Sequence, residues 1–182
     1  MASETPALDS PLWSFSLAVY GAEGVADECL ALQEALQLDV NILLFAAYMG
    51  AVEGVELSAQ DVAAAVEAVS PWHGEIVRAL RGVRRALKPL SLDESNPLRA
   101  ANAGLRAEVK AAELRSEQIE QAMLWLWSRR QVWEHGRGEP GVALAANLER
   151  VLAHYRAPAA TQGAAMLRRL RAAALLFQGS KS

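Results

Sequence analysis

Apolar residues recur along most of this chain at intervals of three and four, punctuated by Gly, Pro and capping residues, which is the pattern of amphipathic helices. Strand signals are few. Ser10-Pro11 offers an N-cap and a proline at the first helical position, opening a segment with Trp13, Phe15, Leu17 and Tyr20 that stops at Gly21. Val25, Cys29, Leu32 and Leu36 share one face of a helix expected over residues 22–37. Asp39 can cap the next helix, whose run from Ile42 to Val52 is apolar for eleven residues. That run is about half the 20 residues a helical bilayer span needs, so it predicts a buried core helix.

Ser58 and Asp61 resemble a capping box with Asp in place of Glu, leading into an Ala/Val helix. Ser70-Pro71 repeats the earlier start signature and predicts a new helix to about Leu87, closed by Pro89. Polar residues 89–97 read as a loop or hinge. Beyond them Leu98, Leu105, Ala112, Ile119, Leu126 and Trp133 are spaced by sevens, which predicts one long helix near 98–133. A Gly-rich turn at His135 to Gly141 precedes a helix with Leu144, Leu148 and Val151. A last helix after Thr161 carries Leu167, Leu170 and Phe177. These elements predict an all-α protein: a single compact domain of about seven helices over residues 10–178, with flexible ends at 1–9 and 179–182.

Charge changes the picture more than composition does. Residues 1–70 hold eleven Asp or Glu and no Lys or Arg, whereas residues 71–182 hold ten acids and all eighteen basic residues. The net formal charge of −3 therefore hides two halves of opposite sign. Neither a uniformly basic nucleic-acid coat nor an acidic disordered tail fits that layout. A secretory leader requires early positive charge, which the first 70 residues lack, and Cys29 is the only cysteine. A cytoplasmic protein with no membrane span and a buried, inert thiol is expected.

Within residues 71–88, Ile76, Leu80, Val83, Leu87 and Leu90 predict a core stripe. Arg78, Arg81, Arg85 and Lys88, with Arg84 at the edge, form a second stripe that is wholly basic. Aligned like charges repel by a few tenths of a kcal/mol per pair, so something should offset them. Ordinary surface acids would serve. So would an anionic partner, because Arg suits bidentate recognition of carboxylate and phosphate, or the acidic first 70 residues of the chain itself. Trp72 and His73 begin the same helix; His73 near Glu75 suggests acid/base work, but residues two apart on a helix point about 200° apart.

Motifs for chemistry are otherwise missing from the sequence. There is no Glu-x-x-His pair for a di-iron site, no zinc motif, no P-loop and no nucleophile elbow, and neither metal nor cofactor is expected. The Asp-rich pairs of isoprenoid diphosphate enzymes are also lacking; Glu113, Glu117 and Glu120, interleaved with Lys110 and Arg115, read as a helix surface stabilised by opposite charges. Trp125 and Trp127 lie about 200° apart on their helix, so either both of its sides are covered or one Trp is exposed. Gln33, Asp39 and Asn41 are polar residues set in apolar sequence. They predict paired core groups or a small polar pocket.

Trp13, Phe15, Tyr20, Gly24-Val25, Cys29-Leu30, Leu32-Gln33, Asp39-Val40-Asn41 with Leu43-Leu44-Phe45, and Trp72 with Arg78, Arg81, Arg84 and Arg85 resemble a family of small proteobacterial conserved hypothetical proteins. The resemblance covers about residues 11–130. It implies a bacterial cytoplasmic protein and carries over no catalytic residue. Charge segregation, the Trp cluster and the missing catalytic motifs together predict a non-enzymatic helical interaction protein with a protein partner. The alternative is a binding protein or enzyme for a small anionic, partly apolar ligand held by residues 71–88. Nucleic acid is disfavoured by a pI of about 5.7 and eleven unopposed acids.

Overall fold

The computed structural model describes residues 8–133, 138–156 and 167–177. Its element order is α1 (Pro11–Tyr20), α2 (Val25–Leu36), α3 (Val40–Ala51), α4 (Ala59–Trp72), a π-helical turn (His73–Val77), α5 (Arg78–Leu92), α6 (Arg99–Ser128), α7 (Pro140–His154) and α8 (Arg168–Leu176). No strand occurs among the described residues, and the protein is all-α, as its periodicity predicts. The helices divide between two compact units, residues 1–68 with 121–182, and residues 69–120.

Local sequence explains most starts and stops in the first unit. Ser10 Oγ accepts from the Trp13 amide, with Pro11 at the first helical position. Asp39 Oδ1 accepts from the Asn41 amide at 2.9 Å. The Ser58 amide donates to Asp61 Oδ2 and the Asp61 amide to Ser58 Oγ, so the shortened capping box forms in both directions. Gly24 adopts φ 73° as the cap of α2, which therefore begins at Val25, the first of its apolar positions, and not at residue 22.

Helix α3 is apolar on every side and is buried from Asn41 to Gly50, the signature of a helix at the centre of its unit. Helices α1, α7 and α8 pack on it. Phe15 meets Tyr48 and Phe177 edge-on at 5.5 and 5.2 Å, tying α1 to α3 and to the residue after α8. Helix α7 approaches α3 closely at Gly50, where a Cβ would lie 2.5 Å from Leu144 backbone atoms. Asn147 of α7, wholly buried, closes the segment after α3: its Nδ2 donates to the carbonyls of Ala46 and Val55, and its Oδ1 accepts from the Leu57 amide at 2.7 Å. On the other flank the Glu28 carboxylate accepts from the amides of Arg169 and Leu170, capping α8 from a distant part of the chain. Cys29 lies in this interior, its thiol pushed up to about 12 by burial and, secondarily, by Glu28.

The second unit departs from expectation in instructive ways. Ser70-Pro71 does not start a new helix. Pro71 lies inside α4, and helical backbone continues to Leu92 through a widened turn in which the Arg78 amide donates to the His73 carbonyl. Pro89 does not close α5 either; the Asp93 amide donates to the Pro89 carbonyl, and the helix runs three residues past it. Proline removes one amide but keeps its own carbonyl as an acceptor, so a following turn can still form. The stretch expected as a hinge, 89–97, is the last turn of α5 followed by a bonded reversal: Asp93 Oδ1 accepts from the Ser95 amide and hydroxyl, and Asn96 Oδ1 from the Leu98 amide. Helix α6 continues through Gly104 and ends at Ser128, short of Trp133. Of the expected Gly-rich turn, His135 to Arg137 lie outside the described residues, as do the start of the last helix before residue 167 and most of both expected flexible ends, while Pro140 and Gly141 already belong to α7.

Gly50→Ala should lower stability by about 2 kcal/mol, because the added methyl meets α7 backbone rather than a side chain that can turn aside. Urea unfolding followed by circular dichroism checks this; an unchanged midpoint would show that α3 and α7 can separate without cost.

Candidate functional site

Each unit carries a buried polar cluster built largely from residues that the sequence singles out. In the first unit, Gln33, Asp39 and Asn41 are all buried. Asn41 Oδ1 accepts from Gln121 Nε2 at 2.9 Å, so the Asp-Val-Asn segment caps α3 with one side chain and grips α6 with the other. The geometry supports helix capping as the role of Asp39 and pairing between helices as that of Asn41.

The aromatic cluster belongs to the same unit. Trp125 meets Tyr48 edge-on at 5.8 Å, Trp127 meets Phe45 and Trp133 at 6.0 Å, and all three indoles are half-buried. Both sides of this part of α6 are therefore covered in part. Arg129 stacks over the remaining face of Trp125 at 5.3 Å.

In the second unit, α5 and α6 form an antiparallel hairpin held by a charged seam. Arg81 Nε donates to Glu113 Oε1 at 3.1 Å and its Nη2 to Glu117 Oε1 at 2.8 Å. Arg84 donates to both oxygens of Glu113. Glu113 is 6% exposed, so this is a carboxylate held between two guanidiniums rather than a solvated surface pair. Burial pushes the Glu113 carboxyl up, but hydrogen bonds and charge from Arg84 and Arg81 outweigh it and hold the group below its ordinary value.

At the far end of the seam, where the π turn begins, Trp72 and His73 lie over the face that α6 covers. Trp72 Nε1 donates to the Ser116 carbonyl at 3.0 Å. His73 Nδ1 sits 3.2 and 3.3 Å from the two oxygens of Glu120, a side chain with no exposed surface. His73 thus pairs across the hairpin with Glu120 rather than with nearby Glu75, which is exposed. A carboxylate on Nδ1 fixes the tautomer and orientation of an imidazole, which serves structural and catalytic histidines alike.

Three expectations change. The basic stripe is not one face: Arg81 and Arg84 turn inward onto α6, whereas Arg78, Arg85 and Lys88 are exposed. The expected core stripe is largely open, with Ile76, Val83 and Leu90 exposed and only Leu80 and Leu87 half-buried. The acidic trio is not a helix surface, since Glu113 and Glu120 are buried. Their spacing of i, i+4 and i+7 is that of any helix seam and could have revealed them, had charge not argued for solvent. Leu98 and Leu105, the start of the seven-residue series, are exposed.

Residues 11–124 match the model of a family described as protein of unknown function, DUF2390. No curated protein and no solved structure matches the chain.

The Glu113 arrangement gives a test by pH. Its ordinary value is 4.5 and its folded value lies lower, so the stability it contributes is complete above 4.5 and is lost as pH falls through the folded value. Glu113→Gln should cost about 2 kcal/mol at neutral pH, with the gap from the native chain closing as the pH drops below 4.5. Denaturant midpoints across a pH series report it; parallel curves for the two proteins would mean that the carboxylate is not paired.

Proposed function

We propose that this chain, which belongs to the DUF2390 family of proteins of unknown function, is a non-enzymatic helical interaction protein that docks a protein partner through the open apolar side of its α5–α6 hairpin. One observation carries the reading: two rows of apolar side chains lie on the same side of that hairpin. Taking the direction of α5 toward α6 as that of Val77 and Arg84, Ile76, Val83 and Leu90 lie about 120° to one side at 3.6 residues per turn. On α6 and the residue before it, taking Glu113 as the inward direction, Leu98, Leu105 and Ala112 lie about 80° round. Because the helices run antiparallel, both rotations lead to the same side. Arg81 and Glu117 mark the other edge, where they pair.

The exposures are 37% for Ile76, 48% for Val83, 46% for Leu90, 64% for Leu98 and 48% for Leu105. Contiguous apolar surface of this kind, bordered by polar residues, is characteristic of binding surfaces. Scattered exposed leucines would need no explanation, but two aligned rows on a two-helix layer do. The reading for a small anionic ligand has less support, since Arg81 and Arg84 already face carboxylates. A bacterial cytoplasmic setting completes the proposal, supported by the buried thiol of Cys29. Among the described residues no helix is long and apolar enough to cross a membrane.

Photo-crosslinking residues placed at Val83 and Leu105 in living cells should yield discrete adducts with protein, and one placed at Arg78 on the opposite edge should not. Adducts at Arg78 with none at Val83 or Leu105 would move the docking surface to the cationic edge and overturn the proposal.

A further inference from the structure

We infer that the partner on this side of the hairpin is a second copy of the same chain, so that two hairpins meet about a two-fold axis in a four-helix layer. The inference rests on the docking reading above and goes beyond it by committing to one occupant.

Three features favour self-pairing. The first is repeat length. Both rows step by seven, as in the seams of helical bundles and coiled coils, and a two-helix layer with one apolar side is half of such a bundle. The second is register. The Arg81 and Arg84 contacts set the middle of α5 level with Glu113 on α6, and His73 with Glu120 keeps the same register a few turns away. Val83, the centre of the α5 row, and Ala112, midway between Leu105 and Ile119 on α6, therefore lie at one level. A single two-fold axis passing that level places Val83 against its own copy, Ile76 against Leu90 of the partner subunit, and Leu105 against Ile119 of the partner subunit. An isologous interface needs this self-matching of a row about its midpoint.

The third feature is charge. Just outside the apolar row of α6 stand Glu108 and Arg115, both exposed, seven residues apart and almost equidistant from Ala112. Arg115 is held along its helix by a 2.7 Å hydrogen bond from Nη1 to Gln118 Oε1. With α6 antiparallel to its copy about Ala112, Glu108 of each chain faces Arg115 of the other, giving two opposite-charge pairs. On the matching border of α5 the residues are Ala79 and Ala86, whose small side chains let two helices approach.

Sedimentation equilibrium of the full chain tests this. The native protein should sediment at about 39 kDa, twice its 19.6 kDa, and Val83→Glu should sediment as a monomer with its helical circular dichroism retained. Glu108→Arg should weaken association about tenfold by setting like charges opposite one another at two places. The swap Glu108→Arg with Arg115→Glu should restore it, which keeps the test decisive if Val83→Glu fails to fold. A native monomer at micromolar concentration, or a dimer indifferent to both Val83→Glu and the charge swap, would overturn the inference. Crosslinks from Val83 to a different protein alongside a native monomer would overturn the second copy while leaving the docking reading in place; the absence of any crosslink from Val83 or Leu105 would overturn both.

Discussion

The arrangement of the second unit depends on one buried carboxylate. Glu113, enclosed between Arg81 and Arg84, fixes where α6 meets α5, how far the two are rotated and which residues stand level across the hairpin. A guanidinium fork and a carboxylate have preferred directions, whereas two leucine rows can slide past each other with little penalty. Buried ion pairs contribute less net stability than apolar contacts of the same size, but they can select one register. Trp72 to the Ser116 carbonyl and His73 to Glu120 repeat that selection further along, where the π turn begins.

Placing charge in the seam has a consequence for the apolar residues. The inward direction of α5 falls between its two stripes, so α6 covers one edge of each and leaves the remainder open. Arg78, Arg85 and Lys88 are left outward on one side, and Ile76, Val83 and Leu90 on the other. The first unit solves its packing differently. Its centre is a helix apolar all round, crossed closely at a glycine, and its polar residues Asn41, Asn147 and Glu28 act as ties between segments.

Much of this was legible in the sequence. Caps at Ser10, Asp39 and Ser58 formed as their side-chain chemistry requires, because a cap is decided by neighbours within three residues. The apolar run after Asn41 read correctly as a core helix. What depended on distant neighbours was harder to read. Pro71 and Pro89 read as boundaries, yet helical backbone continues through both. Glu113 and Glu120 read as surface acids because charge usually means solvent, and only their partners on another helix make burial tolerable. The cationic row was visible, but not that it divides between an inner and an outer pair of directions. Asn147 carried no signal beyond being polar on an otherwise apolar helix face.

The central claim is that the Arg84–Glu113 contact is a working tie and not a coincidence of proximity. A double-mutant cycle of Arg84→Ala and Glu113→Ala, read by denaturant unfolding, measures that tie directly. A favourable coupling of about 1–3 kcal/mol is expected for a charge-assisted hydrogen-bonded pair with this little exposure. Additive single-mutant effects, with coupling indistinguishable from zero, would contradict the account and leave the register of the hairpin without a cause.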